Sequence, residues 1–108
     1  MKKVYVAGPI SKGDMMDNIR NAIHMGDKLM NLGFVPFVPH VTCFWNIISH
    51  HPYEQWCQWD DQWLLTCDAV LRIPGESKGA DAEIELAKRN GIPIFYSIAD
   101  LVNWDRLR

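Results

Sequence analysis

Residues 1–108 are expected to form one α/β domain, a three-layer sandwich in which a parallel sheet of four or five strands, in the order 2-1-3-4, carries helices on both faces. Two observations lead there. Short β-rich apolar segments alternate with segments of helical periodicity in units of about 25 residues, and parallel strands need such helical crossovers, which are right-handed. A chain of 108 residues also suits one domain and not two.

The first strand is residues 3–7, and Gly8-Pro9 ends it because proline offers no amide hydrogen to a ladder. Residues 14–32 place Met15, Ile19, Ala22, Ile23, Met25 or Gly26, Leu29 and Met30 on a helical period, with Asn31 and Gly33 as stop signals. Residues 34–38 are a second strand, placed near a sheet edge by Pro36 and closed by Pro39. Residues 40–52 show no period and are expected to be a long loop, the natural place for function in a small domain. A helix is expected over 53–66, a third strand over 68–73 and a turn over 74–77. Residues 80–90, rich in Ala, Glu, Leu and Lys, predict a helix that Gly91 stops. A fourth strand over 92–97 and an amphipathic helix over 98–107 complete the chain.

Apolar residues make up 48% of the sequence and charged residues 22%, the balance of a water-soluble globular protein. With 11 basic and 13 acidic residues the net charge is −2, so no global positive field draws the chain to duplex nucleic acid or to an anionic membrane. Lys2 and Lys3 before residues 4–10 imitate a signal peptide, but Gly8-Pro9 interrupts that run, and no apolar stretch is long enough to span a bilayer. Cys43, Cys57 and Cys67 form no Cys-x-x-Cys pair, which fits reduced thiols in a cytoplasm. His40, Cys43, His50, His51 and Cys57 match no standard zinc spacing, so no metal is expected, and chemistry carried by two acids such as Glu83 and Asp60 requires no cofactor.

In an open parallel sheet the ligand crevice lies beyond the carboxyl ends of the strands, where their order reverses. The residues leaving strands one and three, Gly8-Pro9-Ile10-Ser11 and the segment from Pro74 to Gly79, would face each other there. Ser77-Lys78-Gly79 enters a helix whose free amides and dipole favour an anion, with Ser11, Lys12 and Lys78 nearby and Asp14 and Asp17 opposing. Any phosphate is therefore expected nearer Ser77 and Gly79. Glu83, one turn in, points back toward the crevice as a candidate nucleophile, or else Asp81, Glu83 and Glu85 merely complement the dipole. Trp56, Trp59 and Trp63 form one stripe, read either as core or interface packing or as a wall against a planar base. Asp60 beside that wall is a candidate proton donor. His40, after Pro39, is placed to line the pocket.

The ordered set Tyr5-Val6-Ala7-Gly8-Pro9-Ile10-Ser11, Cys67-Asp68-Ala69-Val70, Ser77-Lys78-Gly79-Ala80-Asp81-Ala82-Glu83-Ile84-Glu85-Leu86-Ala87 and Gly91-Ile92-Pro93-Ile94 resembles the nucleoside 2-deoxyribosyltransferase superfamily across nearly the whole chain. It is closest to the small DUF4406-type members and is more distantly similar to the 2′-deoxynucleoside 5′-monophosphate N-glycosidases. The resemblance implies a flavodoxin- or Rossmann-like sheet and cleavage or exchange at an N-glycosidic bond. It makes Glu83, four residues after Gly79, the nucleophile. Asp60, with Trp63 and Leu64 in an Asp-x-x-Trp-Leu pattern, becomes the acid, with Asp61 the alternative, and Tyr5, three residues before Gly8, supports the nucleophile. Gly8, Ile10, Ser11, His40, Trp59, Ser77 and Gly79 are the expected substrate contacts. Pro9 departs from the glycosidase pattern, which has a hydroxyl residue there. The implied partner is a small nucleoside or its 5′-monophosphate, handled by a homo-oligomer, because superfamily relatives complete the cleft with a neighbouring subunit. A glycohydrolase of a nicotinamide dinucleotide and a non-catalytic nucleotide-binding adaptor are the alternatives.

Overall fold

The structure, a computed structural model, describes residues 1–107. Four parallel strands, β1 (Lys3–Ala7), β2 (Val35–Phe37), β3 (Ala69–Arg72) and β4 (Ile94–Phe95), lie in the order β2-β1-β3-β4. The helices are α1 (Met15–Asn31), α2 (Thr42–Ile48), α3 (Tyr53–Leu64), α4 (Lys78–Arg89) and α5 (Ile98–Arg106). This is the expected three-layer α/β sandwich. Successive strand residues point to opposite faces, so β1 and β3 serve two cores at once. Val4, Val6 and Leu71 pack with Ala22, Leu29 and Phe34 from the α1 side and with Leu101 of α5. On the other face Tyr5, Ala7 and Val70 pack with Leu64 of α3 and with Ala80, Ile84 and Ala87 of α4.

Three helix starts are capped by a side-chain oxygen, which satisfies an amide the helix itself leaves free. Asp14 accepts from the Asp17 amide at α1, Ser77 from Ala80 at α4 and Ser97 from Asp100 at α5. The Ser77 cap starts α4 at Lys78, two residues before the expected position.

The expected long loop over 40–52 is largely helical. A 3-10 turn (Pro39–Val41) runs into α2, with the Thr42 hydroxyl donating to the Pro39 carbonyl at 2.8 Å. The sequence hides this helix because Phe44, Trp45, Ile47 and Ile48 are exposed and give no one-sided apolar period. The fourth strand is also shorter than expected. Ile94 and Phe95 pair in register with Val70 and Leu71 of β3, and the Pro93 carbonyl before them accepts from the Val70 amide at 2.9 Å. No helix among the described residues is long and apolar enough to cross a membrane.

Candidate active site

Tyr5 sits in the middle of β1 with its side chain on the α3–α4 face, fully buried, and its hydroxyl donates a hydrogen bond to the Glu83 carboxylate. Glu83 occupies the second turn of α4, and Asp60 projects from α3, the helix packed beside it. The three expected catalytic residues therefore meet at the α3–α4 seam above β1.

Both carboxyls hold their protons more tightly than usual. Burial raises Glu83 to about 7, opposed by the Tyr5 hydrogen bond, helped by the charge of Asp61 and opposed again by Arg72. Burial likewise raises Asp60 to about 8, with the charges of Glu83 and Asp61 adding to it. Neighbouring carboxyls resist ionising together, and the one that receives a hydrogen bond ionises first. Glu83 receives that bond from Tyr5, whereas Asp60 Oδ1 is buried with no hydrogen-bond partner. Asp61, the alternative acid, is raised by burial and pulled down by Arg89. Burial, with the negative charge of Glu83 next, keeps the Tyr5 phenol protonated and so a donor.

The residues leaving β1 have packing roles. A Cβ on Gly8 would stand 2.9 Å from Ile73 Cβ, so only glycine lets the ends of β1 and β3 lie this close. His40, 1% exposed, contacts the Pro9 carbonyl through Nε2 at 3.1 Å, and burial lowers its pKa, so the neutral ring donates this bond and steadies the turn. The Ile10 carbonyl accepts from Asn18 at 2.9 Å, and Ser11 is exposed. Ser77 is occupied as the α4 cap, and a Cβ on Gly79 would meet the Tyr53 hydroxyl at 3.5 Å. Trp59 belongs to an aromatic wall, its ring centroid 5.6 Å from Phe37, 6.0 Å from Trp45 and 5.9 Å from Trp56. Among the described residues no group of three or more His, Cys, Asp or Glu side chains is arranged to hold a metal ion.

Three contributors escape the sequence reading. Phe37 stacks on Tyr5 at 5.5 Å and joins the phenol to the tryptophan wall. Tyr53 stands over the start of α4. Arg72, 8% exposed at the end of β3, donates to the Ile73 and Gly75 carbonyls and to Asp81, and its charge favours ionised Glu83. An arginine closing an apolar strand is the sequence signal that points to it.

Among solved structures, a conserved protein from Enterococcus faecalis V583 aligns with a TM-score of 0.71 at 21% identity, covering 87% of this chain and 61% of that one. This chain thus spans about three fifths of the length of that protein. A 2-deoxyribosyltransferase from the psychrotolerant bacterium Bacillus psychrosaccharolyticus aligns with a TM-score of 0.64 at 18% identity, covering 89% of this chain and 75% of that one. At these identities the likeness is one of fold. Comparison with curated proteins gives no significant match. The family described as a domain of unknown function, DUF4406, matches residues 2–96, and over that span the chain belongs to it.

Proposed function

We propose that this protein cleaves, or exchanges the base across, the N-glycosidic bond of a nucleoside or its 5′-monophosphate. The observation that carries the reading is a pair of half-buried acids in unlike surroundings: Glu83 held by the Tyr5 hydroxyl, and Asp60 beside it with one buried oxygen that has no partner among the described residues. Leaving-group departure builds positive charge at C1′ and negative charge on the base, so it needs a carboxylate under the sugar and a proton beside the base. Environments that push two carboxyls apart assign those roles. With Asp60 near 8 and Glu83 near 7, the neutral-pH site holds a protonated Asp60 and an ionised fraction of Glu83.

In the reaction a Glu83 oxygen bonds to C1′ as the C1′–N bond breaks, and the departing base takes the Asp60 proton. The Asp60 carboxylate then accepts a proton from water or from an incoming base as that group attacks C1′, and the Glu83–C1′ bond breaks with its electron pair returning to the Glu83 carboxylate. This releases the free sugar or a new nucleoside and restores both acids. Water as acceptor makes a hydrolase, and a second base makes a transferase. The likeness of fold to a 2-deoxyribosyltransferase supports this chemistry. Free Cys43, Cys57 and Cys67 suit a reducing cytoplasm.

The experiment is base release, followed by chromatography, from a panel of nucleosides, 5′-monophosphates and NAD, with and without a free acceptor base. Glu83→Ala should abolish release while retaining the native circular dichroism spectrum; near-native turnover removes Glu83 from catalysis. The exposed faces of Trp45, Ile47 and Ile48 support a homo-oligomer. Sedimentation should show a species larger than the 108-residue chain, and a monomer at every concentration refutes that part.

A further inference from the structure

Resting on the N-glycoside reading above, we infer that Tyr53 is a substrate-binding residue: its phenolic hydroxyl, at the mouth of the α3–α4 seam, donates a hydrogen bond to a hydroxyl of the sugar. Helix α3 carries two stripes. Trp56, Trp59 and Trp63 turn toward Phe37 and Trp45 and form the aromatic wall. Tyr53, Cys57 and Asp60, at i, i+4 and i+7, lie on the adjoining face, which looks at α4. A Cβ on Gly79 would stand 3.5 Å from the Tyr53 hydroxyl, and the charge of Glu83, one turn further along α4, acts on Tyr53, Cys57 and Asp60 alike. The seam thus has Tyr53 and Gly79 at its mouth, Cys57 and Glu83 one turn in, and Asp60 deeper.

Three features set Tyr53 apart from a packing residue. It is 68% exposed, and among the described residues its ring stays outside the contacts that join Trp56, Trp59 and Trp63 to one another. Its hydroxyl donates at rest to the Cys57 thiol, and sulfur is a weak acceptor, so a sugar oxygen can take that place. The hydroxyl also has room around it, because Gly79 puts no side chain beneath it. One helical turn, about 5.4 Å, separates that level from Glu83, an interval that a furanose fills. With C1′ against the Glu83 carboxylate and the base drawn inward to Asp60, the sugar is the part that remains nearer the mouth. The hydrogen bond and charge of Cys57, then burial, then the charges of Glu83 and Asp60 raise the phenol's pKa, so Tyr53 stays a donor at neutral pH.

The test is Tyr53→Phe, which keeps the ring and removes the hydroxyl, assayed on a nucleoside and on its forms lacking the 2′, the 3′ or the 5′ hydroxyl in turn. On the complete nucleoside kcat/KM should fall by about 3- to 10-fold, the effect of one neutral hydrogen bond. Both limbs of the pH profile should stay in place, because Tyr53 is not among the groups that set the acidity of Glu83 or Asp60. One of the three hydroxyls should matter to the native protein and cease to matter in Tyr53→Phe, while the other two keep their effect in both; that loss of additivity identifies the partner. Calorimetric binding to Glu83→Ala, with and without Tyr53→Phe, should show the same coupling where no turnover occurs. A loss below about twofold, a displaced limb, or losses that simply add for all three hydroxyls overturns the inference and leaves the N-glycoside reading standing. Base release from no nucleoside overturns the underlying reading and this inference together.

Discussion

Tyr5→Phe isolates one hydrogen bond in the proposed site. The ring stays, so its stack on Phe37 at 5.5 Å and its place in the buried face of β1 are kept, and what disappears is the hydroxyl that donates to Glu83. A hydrogen bond to a charged group contributes about 1.5–3 kcal/mol. At about 1.36 kcal/mol per pK unit, losing it raises the Glu83 pKa by roughly one to two units. The productive form needs Glu83 ionised and Asp60 protonated, so the native kcat/KM profile rises through about 7 and falls through about 8. In the variant the rising limb moves up to or beyond the falling one, and few molecules hold both acids in the required states at any pH. Activity at neutral pH should fall by about 5- to 50-fold, with the optimum moved to higher pH. The assay is chromatographic base release from about pH 5 to about pH 10, with thermal melts as a control for folding. A rising limb that stays in place, or a loss below about twofold, would refute the claim that Tyr5 holds Glu83 ionised.

Asp60→Asn should remove the falling limb and reduce base release by about 10²- to 10⁴-fold, read in the same assay. It should also change stability in a direction fixed by linkage. The folded pKa of Asp60 is raised from 3.8 to about 8, so the native protein loses stability as pH rises through that window, and the variant's melting temperature should decline less across it. An equally steep decline in both proteins shows that Asp60 is not the buried group. Gly8→Ala forces a Cβ within 2.9 Å of Ile73 Cβ and should destabilise the fold by about 1–3 kcal/mol in urea titrations. A neutral result means the strand exits can separate freely.

The strands are legible in the sequence because a short apolar run that ends at Gly-Pro or Pro is too brief for a helix and too apolar for a surface loop, and the crossovers make them parallel, while the order 2-1-3-4 is the one that lets the loops leaving strands one and three face each other. Helix α2 is not legible, because its exposed Phe44, Trp45, Ile47 and Ile48 erase the period that marks a helix packed on a core. Spacing and resemblance single out Glu83 and Tyr5, yet only three-dimensional packing puts a β1 hydroxyl on an α4 carboxylate 78 residues away. Spacing also does not separate Asp60 from Asp61. What distinguishes them is depth: burial and the Glu83 charge act on Asp60, while Arg89 offsets burial at Asp61. Gly8, expected as a substrate contact, is accounted for by its approach to Ile73.

Strand β1 is enclosed by neighbours on both edges and keeps Val4, Tyr5, Val6 and Ala7 at 0% exposed, whereas α3 buries only Leu64. Amide hydrogen exchange should then be slowest along β1 and much faster along α3, since protection follows how much a segment must expose in order to open. The proposed proton donor and the proposed nucleophile's support would then sit on pieces of the molecule that loosen at different temperatures. On warming, α3 should depart first and carry Asp60 away while Tyr5 still grips Glu83, so the proposed turnover should fade before the sheet melts.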